Sequence, residues 1–236
     1  MKRNLFFLLL VLCFTGTTIN AQTNSQNSGW LFLLNNTKIN KKWGTHLDVQ
    51  LRSSDNWSNV RNFLFRPGIT YFINDKNDIT LGYLLSETHN LTDDLGEHKL
   101  TEHRIWQQYI HKHKISNINV SHRFRLEQRF VEKIRDEDVF AQRLRYFVRF
   151  IIPLKKEVKN FEKGLFAALQ NELFFNIQHK DKLSGHFFDQ NRAYAAVGYR
   201  FSKKFDLEAG YLNQAVKGKT SNSINNIIQL AVYTRF

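Results

Sequence analysis

The chain has 236 residues, a formal charge of +13, 42% hydrophobic and 14% aromatic residues, and a mean hydropathy of −0.44. Beyond Ala21 no stretch approaches the roughly 18 apolar residues of a transmembrane helix, which excludes a helical membrane protein. The single cysteine, Cys13, excludes a disulfide framework and a cysteine-rich metal site, and no HExxH, glycine-rich phosphate loop or nucleic-acid-binding motif is present.

Met1, Lys2 and Arg3 precede an apolar run from Leu5 to Phe14, and small and polar residues follow up to Ala21. A positive start, a short apolar stretch and a small residue before the break describe a secretory signal peptide over 1–21, with the mature chain starting near Gln22. Acylation at Cys13 would need a small residue before it, and Leu12 stands there. Without Lys2 and Arg3 the charge is +11. In an exported protein that balance suits anionic lipid headgroups and lipopolysaccharide better than nucleic acid.

After an N-terminal segment over 22–42, the region 43–236 alternates apolar and polar residues with period two, the mark of strands. In Trp43 to Arg52, Trp43, Thr45, Leu47, Val49 and Leu51 share one face, and His46, Asp48, Gln50 and Arg52 the other. Strands follow at about 61–73, 78–88 and 99–111. Over 115–131, Ile118, Val120, Phe124, Leu126 and Phe130 oppose Ser121, Arg123, Arg125, Glu127 and Arg129, arginines that a helix would scatter around its circumference. Over 139–152, Phe140, Leu144, Tyr146, Val148, Phe150 and Ile152 oppose Arg143, Arg145 and Arg149. Further strands lie at about 164–177, 187–202, 205–216 and 223–236.

Short turns near 40–42, 74–77, 112–114 and 202–204 alternate with longer loops near 53–60, 89–98, 132–138 and 178–186; the link 153–163 is long where a short turn is due. Short turns on one side and long loops on the other describe an outer-membrane barrel, whose half-polar strands also account for the low hydropathy. The 21 Phe and only 2 Pro favour long unbroken strands. With 30–39 included the strands number eleven, an odd count that single-chain bacterial barrels avoid, and 30–39 would run in the same direction as the last strand. The expected fold is therefore all-β, a transmembrane antiparallel up-and-down barrel of about ten strands from residue 43, with 30–39 tucked against or into it; twelve strands is the alternative. The last strand ends at Phe236, a terminal aromatic that resembles the signal read by outer-membrane assembly machinery.

If the apolar face meets lipid, the arginine face lines the lumen. Arg123, Arg125, Arg129, Arg143, Arg145 and Arg149 on neighbouring strands need carboxylates between them; Glu127 and Glu172 are the first partners, with Glu102, Asp206 and Glu208 as further ones. Together with Arg192 these residues form the expected ionic ladder, either packing the lumen or making an anion-binding passage. His111 and His113 share a strand face beside Lys112 and Lys114, which reads as a solvated basic turn rather than a metal site. Ser184 and His186, with Asp189 and Asn191 after them, are the residues a barrel lipase or deacylase would use. Asp93, Asp94, Glu97, Glu132, Asp136, Glu137 and Asp138 lack the spacing of a calcium loop. No catalytic, metal or cofactor site is assigned.

The stretches Glu102-His103-Arg104-Ile105-Trp106-Gln107-Gln108, Arg123 to Arg129, Arg143-Leu144-Arg145-Tyr146, Asn171-Glu172-Leu173-Phe174, Asn191-Arg192 and Gly210-Tyr211-Leu212-Asn213-Gln214, in this order, resemble the domain of unknown function 2490 (DUF2490) family of Bacteroidota outer-membrane proteins. The resemblance implies an outer-membrane barrel of uncharacterised role. The expected function is a structural barrel or a small-solute or anion passage with a charged, largely filled lumen; the alternatives are an enzyme modifying envelope lipids and a soluble periplasmic lipocalin-like barrel.

Overall fold

The computed structural model describes residues 23–92, 96–134, 137–155 and 161–236. The expected signal segment 1–21, Asp93, Asp94, Asp136 and the side chain of Glu97 lie outside the described residues. The strands are β1 (Thr23–Lys38), β2 (Trp43–Ser53), β3 (Val60–Phe72), β4 (Asn77–Thr92), β5 (Gly96–Ile115), β6 (Ile118–Val131), β7 (Val139–Pro153), β8 (Gly164–Gln178), β9 (Phe188–Ser202), β10 (Phe205–Val216) and β11 (Asn222–Arg235). Each pairs antiparallel with the next, and β1 closes the cylinder against β11.

The barrel closes with eleven strands, near the expected count of about ten; the segment expected to tuck against the barrel is, over residues 30–38, part of β1, a full wall strand. In an up-and-down chain of odd strand number the first and last strands run the same way, so an antiparallel seam is geometrically excluded. The chain solves this with a parallel seam, in register from Thr23 opposite Asn222 to Asn36 opposite Arg235. Parallel bonds are slanted and slightly weaker per residue, but they leave neither edge strand unpaired.

Period-two alternation sets the two faces all around. Leu33, Leu51, Ile69, Leu81, Ile105, Phe124, Leu144, Leu169, Val197, Leu207 and Leu230 stand exposed on the outside, while His46, Arg66, Arg125, Glu127, Arg145, Glu172 and Glu208 are buried within. The assignments from β2, β6 and β7 follow the expected faces. Val120 is outward by register but buried, in a wall where His113 and Phe150 lie opposite it.

Turn positions shift where strands run further than expected. β4 and β5 reach Thr92 and start at Gly96, reducing the connection expected over 89–98 to a short tip. The turn expected at 112–114 lies instead at Ser116 and Asn117, with Ser116 in the left-handed region at φ 55°. Pro67 has no N–H to give, and the β3–β4 ladder is interrupted between Phe65 and Gly68.

Large rings fill the interior where the wall supplies glycine or alanine, the large–small complementarity a narrow barrel requires. Trp30, Phe166, Ala168, Tyr194, Ala196, Leu212 and Ile227 pack together on the β8–β1 side, and Leu64, Leu84 and Trp106 on the β3–β5 side. A Cβ on Gly198 would lie 2.3 Å from the Phe166 ring, and one on Gly82 2.1 Å from that of Trp106. The long link after β7 turns inward at its end: Phe161 meets Phe166 edge-on at 5.9 Å, and Arg200 Nη1 donates to its carbonyl oxygen at 2.9 Å.

Candidate functional site

The site is the lumen at mid-height, where inward positions of neighbouring strands place arginines beside carboxylates. Glu127, on β6, is fully buried; it accepts from Arg143 Nη2 at 2.7 Å and Arg145 Nη1 at 2.6 Å, with Arg104 Nη1 at 3.6 Å. Arg145 also reaches Glu172 at 2.7 Å, and Glu172 takes Arg123 at 2.6 Å. Toward the long-loop side Glu102 joins Arg104 and Arg129, each at 2.6 Å. Arg149 pairs with Glu208, and Arg200 and Arg235 share Asp206 at 2.8 and 2.6 Å. These carboxylates bridge strands and tie the wall across its circumference. Several kcal/mol of desolvation per buried ion is offset only because each carboxylate meets more than one donor.

Of the residues singled out in the sequence, Arg123, Glu127, Arg129, Arg143, Arg145, Arg149, Glu172, Glu102 and Glu208 come together in these pairs. Arg125 and Arg192 share the lumen but form no ion pair among the described residues. Arg125 donates to the neutral amide oxygen of Gln108 at 2.5 and 3.1 Å and stacks 4.4 Å from the Trp106 ring centroid. Arg192 faces the amide of Gln190 and lies 4.8 Å from Phe174 and 5.1 Å from Trp30.

Sequence reasoning missed Trp30, Trp106, Arg104 and the Asp48–Arg66 pair. Asp48 was readable as polar-face from its alternation with Val49 and Leu51; nothing local named Arg66 on the next strand as its partner. Trp30 matters most. Arg52 sits 3.9 Å above its ring centroid and Arg192 is the second cation on that ring. It lines both a lumenal chamber of about 440 Å³ reaching the short-turn rim and a smaller one of about 230 Å³ on the long-loop side.

The other candidate groups do not assemble. The Ser184 hydroxyl accepts from Asn176 Nδ2 at 2.9 Å and lies 3.4 Å from the main-chain carbonyl of His186, so these contacts do not join it to the imidazole. Asp189 accepts from the same Asn176 amide at 3.0 Å. His111 and His113 do share a face, outside the barrel, where they stack with His122. Glu132 accepts from the Thr101 main-chain N–H at 2.7 Å and Asp138 from that of Lys133 at 3.3 Å. No group of three or more histidine, cysteine or acidic side chains is placed to hold a metal ion among the described residues.

A closed all-β barrel with an apolar exterior and an arginine–carboxylate lattice inside is the class these features define. The chain belongs to the family described as "Protein of unknown function (DUF2490)", which it matches over residues 27–225. It is also similar to the uncharacterized protein MexAM1_META1p0181 of Methylorubrum extorquens (strain ATCC 14718 / DSM 1338 / JCM 2805 / NCIMB 9133 / AM1), 29% identical over 241 residues that cover 100% of each chain. No solved structure matches.

Proposed function

We propose that this protein is a bacterial outer-membrane β-barrel, exported by a signal peptide cleaved before Gln22, whose lumen is braced shut rather than open from side to side. The observation that carries this reading is the sidedness of the wall: leucine, isoleucine, valine and phenylalanine outward on every side, arginine and glutamate inward. A water-soluble binding barrel of lipocalin type requires the reverse, because so extensive an exposed apolar belt drives association in water and is covered by acyl chains in a membrane. Strands of 11 to 20 residues meet or exceed the roughly 9–11 needed to span a bilayer. Lys41, Lys42, Lys76, Lys203 and Lys204 stand on the short turns, where anionic headgroups would meet them. Lipopolysaccharide is the corresponding lipid partner at the opposite rim, and the strand ending at Phe236 is the handle for the assembly machinery. The ionic lattice and Trp30 occupy the space an open pore would need.

The test is fractionation of the full chain expressed in a Gram-negative host, followed by gel migration before and after boiling and by planar-bilayer recording. The expected result is detergent-dependent extraction from the outer membrane, an N-terminus at Gln22, faster migration before boiling and no conductance steps. Recovery from the periplasm without detergent would overturn the membrane reading, and stepwise conductance the closed lumen.

A further inference from the structure

We propose that the chamber on the short-turn side is a binding site for a small soluble organic phosphate. This goes beyond membrane placement and a braced lumen, and it stands on the charge balance of the chamber wall. Three carboxylates line that space, and each already holds a cation: Asp48 holds Arg66, Asp78 holds Lys112 at 2.7 Å, and Glu172 holds Arg123 and Arg145. Arg125 and Arg192 line it too, and neither forms an ion pair among the described residues. Glu172 stands in the field of four guanidinium groups, those of Arg145, Arg123, Arg192 and Arg125. Glu172 touches two of these and shares one of them with Glu127, while Arg125 and Arg192 have no carboxylate in contact among the described residues, and a buried cation without a contacting counter-ion is costly.

The hydrogen bonding points the same way. Arg66 Nε, Arg123 Nε and Arg125 Nη1 are buried with no partner among the described residues, although nearly all such groups in folded proteins have one. They belong to two strands, β3 and β6, and His46 on β2 stands in the field of all three guanidinium groups. The cations approach from separate walls, with Arg192 on β9. A planar carboxylate is matched by a single guanidinium fork, whereas a tetrahedral phosphate presents oxygens in several directions at once.

Phe32, Phe72 and Phe147 line the same chamber and offer apolar surface to a carbon skeleton. Its volume of about 440 Å³ falls in the range of small-molecule sites, about 300–1,000 Å³. Lys38 and Lys112, both exposed to solvent at the rim, lie on the way in. The entrance lies at the strand ends and not through the apolar wall, so the solute is soluble and not a lipid headgroup.

The probe is phenyl phosphate, titrated calorimetrically into the purified full-length barrel in detergent, with phenol as the uncharged control. Saturable binding of phenyl phosphate and none of phenol is expected. Affinity should fall at least tenfold in Arg125→Gln and in Arg192→Gln, and stay within twofold in Arg61→Gln, which alters the other chamber. Absence of saturable binding, unchanged affinity in both lumenal variants, or an equal loss in Arg61→Gln would overturn the site. Because those variants alter a packed interior, the unaltered protein supplies a second measurement. Phenyl phosphate should raise its unfolding temperature above that in sodium chloride of equal ionic strength, and no rise would overturn the site as well.

Discussion

Trp106 occupies the space in which Gly82 lacks a side chain: a Cβ there would lie 2.1 Å from Trp106 Cζ2 and 2.4 Å from Cε2. The indole is fully buried and braced on its other sides by Arg125 and by His46, whose ring meets it edge-on at 5.4 Å, so it has little room to retreat.

Gly82→Ala is therefore expected to destabilise the barrel by about 1–3 kcal/mol, the usual cost of overpacking. The check is the urea midpoint for loss of the fast-migrating band in refolded protein. A midpoint within error of the unaltered protein would mean that the indole shifts freely and the interior is looser than described.

Glu127→Gln should cost about 3–5 kcal/mol, because two arginines at hydrogen-bond distance lose their charge partner in a buried setting. Asp138→Asn, on an exposed loop carboxylate with a long contact to the Lys133 N–H, should cost under about 0.5 kcal/mol. Paired denaturation curves decide it; equal midpoints would remove the lattice from any account of stability.

Trp30→Ala removes the one side chain that, among the described residues, lines both chambers. Bilayer recordings should pass from silent in the unaltered protein to resolvable steps in the variant. Silence in both would mean that the surrounding arginines close the lumen without the ring.

Phe236→Ala separates assembly from stability. The main-chain bonds of residue 236, from its N–H to the Asn36 carbonyl at 3.0 Å and from the Lys38 N–H to its own carbonyl at 2.5 Å, do not require the ring. Refolded protein should keep its unfolding midpoint within about 1 kcal/mol, while the amount recovered from the outer membrane of cells drops severalfold. Undiminished recovery would remove the terminal aromatic from the assembly signal.

The parts of this molecule legible in the sequence are those that depend on a residue's own neighbours. Alternation along Arg123–Phe130 fixes which side chains share a face, since period two admits no other grouping. Partner choice across strands is different. Arg192 looked like a ladder member and finds a neutral amide, while Arg66 went unnamed and holds Asp48, because such pairs depend on register set by turns several residues away. The turn expected at Lys112–Lys114 failed for a local reason: alternating histidines and lysines near a rim have the polarity of a loop, yet here they are two faces of one strand. The parallel seam had no local sign either, because it follows from the parity of the whole chain.

That seam sets Thr23 beside Asn222, next to the long-loop rim, while Arg235 and Phe236 end at the rim of short turns. An epitope joined ahead of residue 23 and another joined after residue 236 would therefore emerge from opposite ends of the cylinder. In a cylinder of even strand number both tags would share one side. Here whatever precedes the first strand starts at the end of the cylinder opposite the one where the last strand finishes, a polarity that the arithmetic of eleven imposes by itself.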